Sequence, residues 1–192
     1  VLPWMCAMAG EICDGLHVHP FHSVEYVSQR VVANAAEGAA RADRDLADVT
    51  FEIPVLTAVG DSDEELAAGR DHNRTMIAFY GSTPAYAPIF ELHGHDDIGP
   101  RLTQFQREGD IAAMVGLISD EVLDIFTVTS SWAGLATELH GRYEGLAPSV
   151  RLMSYSANAM LKRDPDVLDK WAEVVAEMDS LPTGSAREGD GS

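Results

Sequence analysis

Three histidines fall within six positions of the stretch DGLHVHPFHS, residues 14–23: His17, His19 and His22. In an extended chain alternate side chains share a face, so His17 and His19 lie about 7 Å apart on one side. A pair like that can ligate zinc or another divalent ion, and His93-Gly94-His95-Asp96 offers more ligands. Such a site needs further donors at neighbouring strand ends. The apolar run 49–59 closes on Thr57 and Val59, and the run 123–129 on Thr127 and Thr129, so neither brings a histidine or a lysine. No metal is assigned, and the expectation is that at least one of the three histidines lines a pocket. A nucleophile is not evident, because Ser82, Ser130 and Ser154 lack the glycine-flanked elbow of a hydrolase serine. Asp61 and Glu65 read as a solvated helix start, and Trp171 with Val174 as core. An anion is the other candidate ligand. Where the chain turns into a helix at Pro3-Trp4-Met5, unpaired amides and the helix dipole favour a phosphate. Proline has no N–H, which leaves Trp4 and Met5 as the expected donors.

Elements must carry these groups. Pro3 suits a first helical position, and Met5, Met8, Ala9 and Ile12 give residues 3–13 an apolar face. Residues 16–21 read as a short strand with His17, His19 and Phe21 on one side and Leu16, Val18 and Pro20 on the other. Ser23 is placed to cap a long helix that fades near Arg44. VTFEIPVLTAV, 49–59, predicts a buried strand. Ser62 and Glu65 form a capping box for a helix running to Tyr80. Residues 81–100, rich in Gly, Pro and aromatics, form an excursion; two short helices follow at 101–109 and 110–119. A strand is expected at 123–129, a helix at 131–143, a strand at 150–155 and a last helix at 165–181. Four strands alternating with helices make the chain α/β, half of an eight-stranded barrel, in which active residues gather where strands end. One domain is expected over 1–181, with a helical insertion at about 81–120 and a disordered tail at 182–192.

Composition excludes several classes. The chain has 192 residues, 46 % apolar, with a formal charge of −18. That suits a soluble cored domain and repels nucleic acid and anionic membrane. No apolar run approaches the roughly 18 residues of a membrane span, and the opening VLPWMCAMAG lacks the basic flank of a signal peptide. Cys6 and Cys13 read as buried free thiols of a cytoplasmic protein. The chain begins with Val, in mid-element, which reads as a fragment.

Three stretches together resemble a known family: MAGEICDGLHVHPFHS, TAVGDSDEELAAGRDHNRTMIAFYGSTPAYAPIFELHG and EVLDIFTVTSSWAGLATELHGRY. They are similar to the luciferase-like monooxygenase superfamily, and within it to the coenzyme F420-dependent oxidoreductases, over about residues 1–178. The resemblance implies a TIM barrel that binds coenzyme F420, or FMN in sister groups, at the carboxyl ends of its strands. It implies hydride transfer to or from a small-molecule substrate. Residue by residue, the family's phosphate loop falls on Leu2, Pro3, Trp4 and Met5, with Leu2 standing where the family usually has glycine. The wall after the next strand falls on His19 beside the cofactor, with Phe21 and His22 towards substrate. The family's insertion brings Tyr86 and His93 over the substrate side. The resemblance also makes this chain the carboxyl-terminal half, expected to be inactive alone. An open sheet edge invites pairing, so a homodimer is expected. The alternatives are a metal-dependent barrel hydrolase using His17 and His19, and a half-barrel scaffold without catalysis.

Overall fold

A computed structural model describes residues 2–155 and 166–182 of the chain. It opens on α1 (Pro3–Ile12), which leads into β1 (Gly15–His17). Next comes α2, a continuous helix built of Val24–Tyr26, a wider-wound π turn at Val27–Val32, and Ala33–Arg41. Ser23 caps it, its hydroxyl accepting from Tyr26 N at 3.1 Å. β2 (Thr50–Val59) is buried almost throughout. It hands over to α3 (Asp63–Gly81), where Ser62 Oγ accepts from Glu65 N and Glu65 Oε2 accepts from Asp61 N. The excursion holds a 3-10 turn at Pro84–Tyr86 and three helices, α4 (Ala87–Glu91), α5 (Ile98–Glu108) and α6 (Ile111–Gly116). Then follow α7 (Asp120–Phe126), β3 (Thr127–Ser130), α8 (Leu135–Tyr143), β4 (Val150–Ser154) and α9 (Val167–Ser180).

Two elements differ from expectation. The strand at 123–129 is mostly helix: Ser119 caps α7 through Val122 N at 3.2 Å, and Val122, Leu123 and Phe126 share one helical face. β3 therefore begins only at Thr127. β1 is also shorter than 16–21, because Pro20 has no N–H to extend a ladder; the last bond is Val18 N to Glu52 O at 2.8 Å. The expected tail at 182–192 lies outside the described residues beyond Pro182.

All strand pairs are parallel, and β2 is the hub. β1 runs along Thr50–Glu52 and β4 along Phe51–Val55. Thr50 N and Glu52 O bond the β1 side while Phe51 N and Val55 O bond the β4 side, so these two strands take opposite edges. β3 pairs with the remaining stretch, Leu56–Val59. Consecutive staves would pair β4 with β3; the ten-residue β2 outruns every partner and has room for all three.

A parallel sheet needs both faces covered, and alternation along β2 provides for it. Phe51, Ile53, Val55 and Val59 pack with residues of α1, α2, α8 and α9. Leu56 belongs to a second cluster with Phe21, Ile77, Phe90, Leu102 and Leu123. Ala58, on that same second face, lies against Gly69 of α3. None of the described helices is long and apolar enough to cross a membrane.

Candidate functional site

The turn after β1 locks two imidazoles in opposite tautomers. Phe21 N–H donates to His19 Nδ1 at 3.1 Å, so the neutral His19 carries its proton on Nε2. His22 does the reverse: its Nδ1–H donates to the His19 carbonyl at 2.8 Å, which leaves Nε2 a bare acceptor. His22 is 3 % exposed, and its Nε2 meets no partner among the described residues. Burial pushes its pKa down to about 4, opposed by the bond to the His19 carbonyl. His19 is half-buried, and loss of solvent lowers its pKa as well.

Aromatic rings close around this turn. His19 stacks on Tyr86 at 4.9 Å between centroids and meets Tyr80 edge-on at 4.8 Å. Phe21 beneath it touches Tyr86, Phe90 and Phe126 at 5.6, 5.4 and 4.9 Å. Tyr80, in the last turn of α3, and Tyr155, just past β4, share a hydrogen bond of 2.5 Å between their hydroxyls. Burial and that bond raise the Tyr80 pKa, so the phenol stays protonated. The excursion is pinned at its far end, where His93 Nε2 bonds Ser23 Oγ at 2.7 Å, 3.9 Å from Glu25 Oε2. Burial lowers the His93 pKa.

Five of the expected site residues are thus brought together: His19, Phe21, His22, Tyr86 and His93. Their roles are not equal. Phe21 is 1 % exposed and His22 3 %, so both lie beneath the surface. The apolar second cluster closes over Phe21, and the turn folds His22 inward. His19, Tyr86 and Tyr80 keep exposed surface.

Met5 N–H donates to Leu2 O at 2.9 Å, which takes up one of the two expected donors, while among the described residues the Trp4 amide meets no acceptor. Among the described residues no hydrogen bond or ring contact ties this turn to the histidine cluster. His17 is exposed, and among the described residues no three His, Cys, Asp or Glu side chains gather as a metal would need. Cys6 is buried and Cys13 half-buried, both as free thiols. The sequence does not single out Tyr80 or Tyr155; of the two, only Tyr155, just past β4, sits at a strand's carboxyl end, where ligand-facing residues of α/β folds concentrate.

A family model described as luciferase-like monooxygenase matches residues 1–149. Uncharacterized proteins of Mycobacterium bovis and of Mycobacterium tuberculosis are 40 % identical over 146 residues, covering 76 % of this chain and 43 % of theirs. The chain therefore spans less than half the length of the curated relatives it matches. A solved structure, the coenzyme F420-dependent tetrahydromethanopterin reductase from Methanopyrus kandleri, superposes with a TM-score of 0.62. The identity is 18 %, over 80 % of this chain and 42 % of the other. That likeness is one of fold, the partial barrel expected from the alternation of strands and helices.

Proposed function

The chain belongs to the luciferase-like monooxygenase family, and from that premise we propose that it forms part of an oxidoreductase whose His19 cluster holds the ring of a deazaflavin, coenzyme F420, with FMN as the alternative. The observation that carries this is the locked His19 tautomer between Tyr86 and Tyr80. A planar heteroaromatic with carbonyl edges needs aromatic walls and a fixed hydrogen-bond donor, and the turn offers both.

The two ends of such a cofactor fare differently here. At the ring end His19 presents Nε2–H and half-exposed rings stand beside it, which fits. At the phosphate end stand the Trp4 amide, without an acceptor among the described residues, no basic side chain in the first turn of α1, and a leucine at position 2. The fit therefore rests on the ring end.

When bound, a reduced deazaflavin supplies a hydride, and FMN supplies a hydride or single electrons. The chain's own residues bind and orient. His19 Nε2–H donates to a ring acceptor, and Phe21 and His22 fix the loop from below. Of the two O–H groups in the Tyr80–Tyr155 pair one makes their mutual bond, and the other is a second donor at the rim. His93 holds the excursion over the turn through Ser23.

Fluorescence titration with coenzyme F420, and separately with FMN, tests the proposal. Saturable quenching is expected, and His19→Ala should weaken it by about tenfold, the cost of one hydrogen bond of roughly 1.4 kcal/mol. Absence of saturable binding by either cofactor would remove the proposal.

A further inference from the structure

α3 lies on the second face of the sheet in a fixed register. Gly69 abuts Ala58, where a Cβ on the glycine would stand 3.1 Å from the alanine Cβ. Arg70 Nη1 donates to Thr129 Oγ1 at 3.1 Å. Ala58 and Thr129 are register partners of β2 and β3, and so are Leu56 and Thr127, two residues earlier. A helix that returns from the end of a strand runs against it. Four residues along α3, about 6 Å, therefore match two residues back along the strands, about 6.6 Å. That step leads from Gly69 to Asn73 on the helix, and from Ala58 and Thr129 to Leu56 and Thr127 on the sheet. Ile77, one turn further, packs in the same cluster as Leu56. Asn73 thus lies over the Leu56–Thr127 pair. Both polar residues are sealed, at 1 % exposure for Asn73 and 2 % for Thr127. Asn73 Nδ2 and Oδ1 and Thr127 Oγ1 meet no hydrogen-bond partner among the described residues. An amide and a hydroxyl withdrawn from solvent are destabilising until something bonds them.

We propose that one ordered water molecule sits between Asn73 and Thr127 and joins α3 to the start of β3. The chemistry of the two side chains selects that ligand. Asn73 supplies two N–H donors and a carbonyl acceptor, and Thr127 a hydroxyl that does either. A cation would face the amide N–H groups and an anion the amide carbonyl, and neither side chain carries a charge to offset that of an ion. A small neutral molecule that both donates and accepts satisfies all three atoms, and about three hydrogen bonds are what a buried water makes. Atoms buried this deeply are out of reach of anything packed on the outer surface, so the bridge is independent of what covers the helices.

Asn73→Leu and Thr127→Val, close in shape to the residues they replace, test the bridge by denaturant titration of the purified chain. Each removes one end and strands the other, so each should lower the folded-to-unfolded ratio about tenfold. The double variant removes both ends and should lose no more than the worse single variant. A crystal structure of the unsubstituted chain should place a water within hydrogen-bond distance of both side chains. Without a bound water the three atoms only destabilise, so a single variant at least as stable as the unsubstituted chain overturns the proposal. Two losses that add in the double variant overturn it too. So does a crystal structure in which Asn73 bonds Thr127 directly or finds another partner, and that structure decides alone if the variants do not fold.

Discussion

His22 is the residue with the clearest pH signature. Its pKa falls to about 4 on folding, from an ordinary value near 6.5, so between those values the unfolded chain binds more protons than the folded one. Stability from this group is complete above about pH 6.5 and is lost as the pH drops towards 4, at most about 3 kcal/mol. Denaturant titrations at pH 7 and pH 4.5 should show that loss, and His22→Gln should flatten it. An unchanged slope in the variant would mean that other groups carry the acid sensitivity. The sequence made this cluster conspicuous, since HVHPFH puts three imidazoles beside a strand end. It could not assign their roles. Which imidazole faces solvent depends on two local hydrogen bonds, to His19 Nδ1 and to the His19 carbonyl, that no periodicity encodes.

Elements were legible where a cap and a period agreed. Ser62 with Glu65, Ser23 before Val24 and Pro3 at a first helical position all mark observed helix starts. Residues 123–129 were misleading because a continuous apolar run suits strand and buried helix alike; the Ser119 cap and the acidic first turn decide for helix. Arg142 then closes the other end of α7. It donates to the carbonyls of Thr127 at 3.1 Å and Asp124 at 3.0 Å, and to Ile125 O. Arg142→Met keeps the stem but leaves those carbonyls without their cation, and should cost about 1–3 kcal/mol by thermal or chemical denaturation. The crossing of α1 on α2 is tighter still. A Cβ on Gly38 would collide with the Ala7 carbonyl oxygen, and one on Gly10 with the carbonyl oxygen of Ala35. Gly38→Ala should therefore destabilise the chain by roughly 2–3 kcal/mol, as backbone-to-backbone overpacking does. An unfolding midpoint equal to that of the unsubstituted chain would show that the two helices can slide apart freely.

On the scale of the whole molecule, β2 organises everything else. It pairs with each other strand, and its alternating side chains separate the two hydrophobic clusters. A parallel α/β sheet was readable from the alternation of strand and helix signals. The order of the strands was not, because parallel crossovers are long and leave no local trace in the sequence. The same organisation sets the His19 turn at the end of β1, Tyr155 at the end of β4 and Tyr80 at the end of α3 in one neighbourhood. Imidazole ¹⁵N shifts of the chain, recorded with and without oxidised coenzyme F420, address that neighbourhood directly. Free His19 should show the Nε2–H tautomer, and saturating cofactor should move its resonances while those of exposed His17 and His72 stay in place. A cofactor that binds without disturbing His19, or a free His19 protonated on Nδ1, would contradict the account.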